Sequence, residues 1–418
     1  MRNRFLSLIA ALVLAISAYA TDIKTDRTWY LAGEALQVSV TDNDSKIAYA
    51  ELCDTNGLVA GVVVSLKGEK GTGVIELPSD LHSGYYVLSV YTRHHADVAQ
   101  QLIAVINPLR KSKDDDIEWV IITHPDSLSY PETGGWNQEL TSIKAVDERE
   151  VEGHIIKARV KNVNDGITFR GSQIRPSMSI IGKQIHYFEG KMVNDSIAVF
   201  YTFGVYGKQP LVLSALSSTG VSLPIEMISP FATLIPKKLP HLTFHYKRNE
   251  VEARYLDMQR HQIAISATKR APEATDEEVI PLNYDESAYG TKPDLSYNLD
   301  EYRQFLTIRE VLLEYVSCVK KTTIDGIPQL IVRKEQEVYN STMPTLVLID
   351  GMPVYNIERL LNYDARRIQY INIYAGQYTF GNSVYNGILS FITRSGRLTN
   401  YPTEPNMQYL VYDFPNEN

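Results

Sequence analysis

Histidine and aspartate residues are the groups in this sequence most able to bind a metal ion. Histidines occur as the pair His94-His95 and again at His241 and His245, and aspartates fill positions 114–116. A zinc site needs a spacing such as H-E-x-x-H or C-x-x-C, and a calcium loop needs a glycine and a glutamate at set distances from its aspartates. Neither spacing is present. We therefore predict surface or strand histidines, a solvated acidic linker and no metal site.

The candidate nucleophiles of this sequence, one serine and two cysteines, lack the motifs of catalytic sites. Ser383 stands in Gly381-Asn382-Ser383-Val384-Tyr385, which lacks the second glycine of a nucleophile elbow, and no glycine-rich phosphate loop with a lysine occurs. The two cysteines, Cys53 and Cys318, are separated by most of the chain. Because disulfide geometry is specific, we favour two unpaired thiols in different domains. We expect no catalytic residues and no cofactor.

The first twenty residues have the three parts of a secretory signal peptide. Arg2 and Arg4 precede an apolar run at 5–16, and Ala18-Tyr19-Ala20 offers a cleavage site between small residues. The alternative is an uncleaved membrane anchor, but about a dozen apolar residues are too few to cross a bilayer core of about 30 Å. We predict an exported protein whose mature N-terminus is Thr21.

The charge of the chain argues against nucleic-acid binding. Asp and Glu number 49 against 41 Lys and Arg, for a net charge of −8. Loss of the two arginines of the signal peptide makes the mature chain more acidic still, whereas a nucleic-acid-binding protein needs a basic surface. Hydrophobic residues make up 44% of the sequence, which is enough for several domain cores.

Residues 21–107 have the pattern of an antiparallel β-sandwich. Positions 48–53 alternate as in a half-buried strand, and Asp54-Thr55-Asn56-Gly57 supplies a turn before a return strand. Together with Tyr30-Leu31-Ala32-Gly33-Glu34 and the Ser83-Gly84-Tyr85-Tyr86 strand entry, this order resembles the macroglobulin-type immunoglobulin-like domain. The thioester sequence Cys-Gly-x-Gln of protease-trapping macroglobulins is absent. The resemblance therefore implies a fold and not protease inhibition.

The middle of the chain alternates between connectors and a second β region. We predict a charged connector at 108–150 with one strand, and a second sandwich-like module at 151–224 that loosely resembles carboxypeptidase-regulatory modules. A proline-rich and acidic connector follows at 225–300, with one helix over 250–263 and an exposed linker at 273–292.

Residues 301–418 combine helix and strand signals. Thr307 and Glu310 form a capping box, in which each side chain satisfies a free backbone N–H at the start of a helix. Strands are predicted at 330–332, 345–349, 368–374 and 388–393, and Asp350-Gly351 is a hairpin turn signal. The fold class that we predict is multidomain and mainly β: two β-sandwich modules followed by an α/β domain.

Three ordered motifs in this last domain resemble the plug domain of TonB-dependent outer-membrane receptors. They are Leu346-Val347-Leu348-Ile349-Asp350-Gly351-Met352-Pro353-Val354, then Asp364-Ala365-Arg366-Arg367-Ile368-Gln369-Tyr370-Ile371, and last Gly381 followed by Asn386-Gly387-Ile388-Leu389-Ser390-Phe391-Ile392-Thr393. The resemblance implies a plug-like domain able to dock on a partner. In such receptors a membrane barrel follows the last motif, whereas this sequence continues for only 25 residues beyond Thr393. The expected role is therefore interaction and not transport.

The residues between the last two predicted strands form a candidate partner-binding loop. The segment is uncharged and rich in aromatic side chains, as interface centres are. The alternative is that Phe380 and Tyr385 pack back onto their own sheet. The candidate residues are Gln377, Tyr378, Phe380, Asn382, Val384 and Tyr385.

The sequence favours an exported, non-enzymatic envelope protein of a Gram-negative bacterium, located in the periplasm or at the outer membrane. Its expected partner is a protein, such as an outer-membrane barrel protein. Two alternatives stay open. The chain could be a non-functional or accessory truncation of a larger protein that resembles TonB-dependent receptors, or an accessory subunit of an extracellular hydrolase system.

Overall fold

The computed structural model describes residues 21–124 (without 44, 95 and 111–112), 130–131, 150–270 (without 152 and 183–184), 286–333 (without 325), 343–398 and 401–417. The predicted signal peptide at 1–20 lies outside the described residues. So do most of the connector at 108–150 and most of the acidic linker at 273–292. The described chain is mainly β, as the composition and strand patterns predicted.

The first unit is an immunoglobulin-like β-sandwich. One sheet has the strand order β1-β3-β6 and the other β2-β8-β7-β4-β5. Alternate residues of β3 and β6 are buried between the sheets. Every residue of β4 is buried, so the predicted half-buried pattern was wrong for this strand, whose second face is also covered. The strands are β1 (Asp22–Thr25), β2 (Trp29–Leu31), β3 (Ala35–Thr41), β4 (Ile47–Cys53), β5 (Leu58–Ser65), β6 (Lys70–Glu76), β7 (Gly84–Tyr91) and β8 (Val98–Ile106).

The second unit is a sandwich of two four-stranded sheets. Their orders are β16-β17-β11-β19 and β15-β14-β18-β28, where β28 is the late segment Gln408–Phe414. Two further short strands, β12 and β13, pair with each other in a separate antiparallel ribbon. After β9 (Ile117–Ile121) and β10 (Tyr130–Pro131), the strands are β11 (Ile155–Val160), β12 (Val163–Asn164), β13 (Ile167–Thr168), β14 (Ile174–Ile180), β15 (His186–Glu189), β16 (Lys191–Met192), β17 (Ile197–Tyr201), β18 (Gly207–Ser217) and β19 (Ile225–Met227).

The segments predicted as connectors contribute ordered structure. β20 (Leu242–Tyr246) pairs in parallel with β9 and antiparallel with β10, and the helix α1 (Arg248–Arg270) follows. Leu242 and Phe244 of β20 pack on the first unit. Arg254 of α1 holds the carboxylate of Glu34 with two nitrogens at 2.7 Å each, and its guanidinium stacks over Trp29. Among the described residues, no helix is both long and apolar enough to cross a membrane.

The third unit is an α/β domain around a five-stranded sheet of order β21-β26-β27-β24-β25. The capping box of the helix Ile308–Glu314 is present as predicted, with the Thr307 N–H donating to Glu310 Oε2 at 3.0 Å. After the short helix α2 (Glu286–Tyr289), the elements are β21 (Leu295–Asn298), α3 (Ile308–Glu314), β22 (Val319–Ile324), β23 (Ile327–Val332), β24 (Leu346–Ile349), β25 (Met352–Pro353), α4 (Ile357–Leu361), β26 (Ile368–Phe380) and β27 (Ser383–Thr393).

The strand β28 (Gln408–Phe414) does not belong to the third unit. It pairs antiparallel with β18 over seven residues, from Gly207 opposite Phe414 to Leu213 opposite Gln408. The sequence predicted a second module ending at residue 224 and a last domain running to residue 418. Both boundaries are corrected, because β19 extends the second sandwich beyond 224 and β28 belongs to that sandwich and not to the last domain. Because β19 and β28 both complete the second sandwich, the third unit is inserted between two strands of that sandwich.

The sheet β15-β14-β18-β28, called the shared sheet below, is covered on both faces. One face packs on the other sheet of the second sandwich through residues such as Met178 and Leu213. The opposite face carries Ser177, Ser179 and Ser214, and these polar side chains are at most 2% exposed. The third unit covers two of them, since the Tyr355 hydroxyl lies 3.0 Å from Ser214 Oγ and 3.4 Å from Ser177 Oγ. The second and third units thus form three packed layers.

Candidate functional site

The predicted partner-binding segment is a β-hairpin and not a loop. β26 and β27 continue through it, with Tyr378 opposite Tyr385 and Phe380 opposite Ser383. Only Gly381 and Asn382 form the turn, and Gly381 has the positive φ (55°) that a tight hairpin turn needs at this position. The prediction of a loop was wrong because the flanking Tyr, Thr, Phe and Val residues favour strands, and the two-residue turn lets them pair.

One face of this hairpin is bound to the second sandwich. The Tyr385 side chain is 7% exposed, and its hydroxyl donates to Glu189 Oε2 at 3.3 Å. Ser383 Oγ donates to the other oxygen of the same carboxylate. The ring of Phe380 meets Tyr187 edge-on with centroids 5.2 Å apart. Tyr385 is therefore buried and Phe380 half-buried, and both pack against β15 as well as against their own sheet.

Glu189 fixes the hairpin, although it was not among the residues predicted from the sequence. It is half-buried at the end of β15, and burial raises the pKa of its carboxyl. The hydrogen bonds from Ser383 and Tyr385 and the charge of Arg175 act in the opposite direction. Burial also raises the pKa of Tyr385 to about 12, so this hydroxyl keeps its proton and can donate. No local sequence signal marks Glu189, because its partners lie about 195 residues further on.

The other face of the hairpin is exposed and uncharged. Gln377, Asn382 and Val384 are exposed, and Val384 keeps 41% of its accessible area. Thr379, opposite Val384, is exposed as well and was not among the predicted residues. Tyr378 is half-buried and packs edge-on against Tyr374, with ring centroids 6.4 Å apart. We call the four exposed residues the tip surface: Gln377, Thr379, Asn382 and Val384.

The turn predicted at Asp350-Gly351 connects β24 and β25 of the third unit's sheet. Both residues have positive φ, 46° and 86°, and Ile349 pairs with Met352 across them, as in a type I′ turn. The Asp350 carboxylate is fully buried and accepts from Thr393 N at 2.8 Å, Thr393 Oγ1 at 2.6 Å and Leu398 N at 2.7 Å. The prediction of a hairpin turn is confirmed, and the aspartate also ties the turn to the end of β27.

A buried polar group, called the seam cluster below, joins the two sandwiches. The Tyr49 hydroxyl lies 2.7 Å from both carboxylate oxygens of Glu150, and Arg93 Nη1 lies 3.3 Å from Oε1. His154 places Nδ1 3.3 Å from Glu150 and Nε2 2.6 Å from the hydroxyl of Tyr412 on β28. Since the carboxylate only accepts, we assign the proton to Nδ1, and Nε2 accepts from Tyr412.

The seam cluster has the residue types of an acid–base site but is closed to substrates. Glu150 and His154 are 2% and 3% exposed. Burial lowers the pKa of His154, so the imidazole is neutral. The hydrogen bond from His154 and the charge of Arg93 outweigh burial and lower the pKa of Glu150. The cluster therefore joins four segments of the chain, at Tyr49, Arg93, Glu150 to His154, and Tyr412. The sequence does not point to these residues, because their contacts are long-range and form no local motif.

The remaining candidate groups lie apart. His94 follows β7, His245 lies within β20, and exposed His241 contacts Asp116 of the acidic run. Within the described ranges, no three His, Cys, Asp or Glu side chains are placed to hold a metal ion. Among the described residues, neither Cys53 nor Cys318 forms a disulfide bond, as favoured from the sequence.

Comparisons with known proteins add little. No family model matches the sequence, and no curated protein matches it. Among solved structures, a BSP domain of a biofilm-associated protein shares 9% identity over 54% of this chain and 30% of its own, with a TM-score of 0.18. An alpha-2-macroglobulin of Salmonella shares 10% over 50% of this chain and 14% of its own, with a TM-score of 0.19. Tandem immunoglobulin domains of titin share 9% over 55% of this chain and 98% of theirs, with a TM-score of 0.16.

The chain therefore spans less than a third of the first two of these proteins. TM-scores of this size carry no argument about function. The assignment of the first unit as an immunoglobulin-like sandwich follows from its own two sheets and the core between them.

Proposed function

We propose that this chain is an exported, non-enzymatic protein of the bacterial envelope that binds another protein through its third unit. The tip surface is the observation that carries the proposal. Four uncharged, exposed side chains lie on a hairpin whose opposite face is bound to Glu189 and Tyr187. A strand surface held in place in this way loses little conformational entropy on binding.

The order of elements in the third unit supports a plug-like domain. β24 is followed by the Asp350-Gly351 turn, the helix α4, the long strand β26 and then β27, which contains Gly387 at a φ of 90°. The three sequence motifs fall on these elements in turn. In such receptors the plug domain lies inside a membrane barrel. The partner that the resemblance favours is therefore an outer-membrane barrel protein.

The two sandwiches suit the role of a rigid support. Besides the seam cluster, the fully buried Glu51 of β4 accepts from Tyr91 at 3.0 Å and from the backbone N–H groups of Thr233 and Leu234 at 3.0 and 2.5 Å. These bonds fix the segment that leads out of the second sandwich onto the first. The third unit is in turn held by the shared sheet. Such a support would hold the tip surface at a fixed distance and orientation relative to the first sandwich.

The proposal is tested by placing a charge on the tip surface. Val384→Asp should abolish co-purification of a cross-linked partner from envelope extracts, because a desolvated carboxylate at an interface has no counter-charge. The matched control is Val74→Asp, which changes a valine of similar exposure (46%) on β6 of the first sandwich and should retain the partner. Both variants should keep the unfolding temperature of the parent chain. Equal recovery of the partner by both variants would show that the tip surface is not the binding site.

A further inference from the structure

A cavity of about 430 Å³ lies between the second and third units. Its floor is one end of the shared sheet, with Arg175 on β14 and Leu216 on β18, which pair directly. Its roof comes from the third unit, with Ile327 on β23 and Leu346 on β24. Small-molecule sites in proteins have volumes of roughly 300–1,000 Å³ and occur often between domains. The cavity therefore has the size and the position of a ligand site.

Most polar groups around this cavity already have partners. The Tyr355 hydroxyl lies 3.0 Å from Ser214 Oγ and 3.4 Å from Ser177 Oγ, and Glu189 accepts from the side chains of Ser383 and Tyr385. These bonds satisfy the hydroxyls and the carboxylate without any ligand, so they are not the groups that would recognise one.

Arg175 differs from the other polar groups. Among the described residues, its guanidinium has no hydrogen bond and no carboxylate within 4.0 Å, although its charge acts on Glu189, Tyr355 and Tyr385. A guanidinium offers five N–H donors in a planar arrangement that matches a carboxylate with two parallel bonds. Arg175 is half-buried and lines the cavity, so its unpaired guanidinium is available to an anion that binds there.

The rest of the lining fixes the class of ligand. Leu216, Ile327 and Leu346 present apolar surface next to the guanidinium. Glu189 contributes a negative charge to the same cavity, which disfavours a doubly charged phosphate but leaves room for one carboxylate beside Arg175. We propose that the cavity binds a small monocarboxylate with an apolar body, whose carboxylate pairs with Arg175 and whose chain lies between the two units. This site is separate from the tip surface and does not depend on the partner proposed above.

The test measures binding of decanoate to the purified chain by titration calorimetry. Decanoate should bind with a Kd below the millimolar range, while decanol and decyl phosphate bind at least tenfold more weakly. Arg175→Gln should weaken decanoate binding tenfold or more, the usual effect of removing one charged hydrogen-bonding partner. The matched control is Arg159→Gln, an exposed arginine on β11 of the same sandwich, which should bind as the parent does.

Ligand-free unfolding temperatures of the two arginine variants keep the result interpretable, since both should equal that of the parent chain. Absence of decanoate binding to the parent would overturn the proposal. So would equal binding by Arg175→Gln, or binding of decanol as tight as that of decanoate, because each would remove the role assigned to the guanidinium.

Discussion

Replacing Glu150 by glutamine should destabilise the contact between the two sandwiches. The parent carboxylate is 2% exposed and accepts from the Tyr49 hydroxyl, from Ile155 N at 2.8 Å, and from Arg93 and His154. Glutamine keeps the shape and one acceptor oxygen. It removes the negative charge that faces Arg93 and places an NH₂ group where a donor already points.

The size of the effect follows from what the change leaves behind. The Arg93 side chain is 12% exposed and stacks over Tyr49 at 4.6 Å, so it cannot simply turn into solvent. It keeps a bond to Ile155 O at 2.9 Å but loses its counter-charge. Removing one partner of a buried ion pair costs about 3–5 kcal/mol. Replacing Arg93 by methionine in the same chain should recover part of that cost, because the unpaired charge is then gone.

Urea unfolding followed by circular dichroism measures the change, with the double variant completing a thermodynamic cycle. The matched control is Glu358→Gln, since Glu358 also bonds two cations, Arg309 and Lys321, but at the exposed surface of the third unit. That variant should unfold as the parent does. If Glu150→Gln lowers the free energy of unfolding by less than about 1 kcal/mol, the seam cluster does not stabilise the contact between the two sandwiches as expected.

Two further perturbations have clear expected outcomes. Burial lowers the pKa of His154 from its ordinary 6.5, so the unfolded chain takes up a proton first and stability should fall as pH falls below about 6.5. Thermal unfolding between pH 7 and 5 should show this slope, and His154→Asn should flatten it; an unchanged slope would exclude His154 as its source. Gly351→Ala should lower the free energy of unfolding clearly more than Gly290→Ala does. Both glycines have positive φ, which costs an alanine about 1–2 kcal/mol. Only at Gly351 would the new Cβ also come within 2.5 Å of another side chain, that of Ile185. Equal losses in urea unfolding would count against the close packing at Gly351.

Features that depend on a few neighbouring residues could be predicted from the sequence. The capping box needs only Thr307 and Glu310, and the hairpin turn needs only Asp350 and Gly351, so both appear where expected. The first sandwich followed from alternation and turn residues for the same reason. In each case the physical cause lies within one turn or one strand pair.

Features that depend on contacts between units could not be predicted. Ser177 and Ser214 look like the solvent side of two strands, yet the third unit buries them. Glu189 has no local signal as the anchor of a hairpin near residue 383. The candidate segment was recognised as aromatic and uncharged, but its division into a bound face and a free face depends on β15. Alternation specifies which residues share a face and does not specify what covers that face.

The place of β28 has a consequence for how the chain folds. Its partner β18 ends at residue 217, so the shared sheet gains its last strand only after roughly 190 further residues have been made. Until then β18 presents an open edge of unpaired N–H and C=O groups, which is a template for wrong pairing. Contacts so distant in sequence also slow folding, because a long loop must close before they form. The second sandwich is thus the last unit to be completed although it stands in the middle of the chain, and premature release of the chain would leave it with an unprotected sheet.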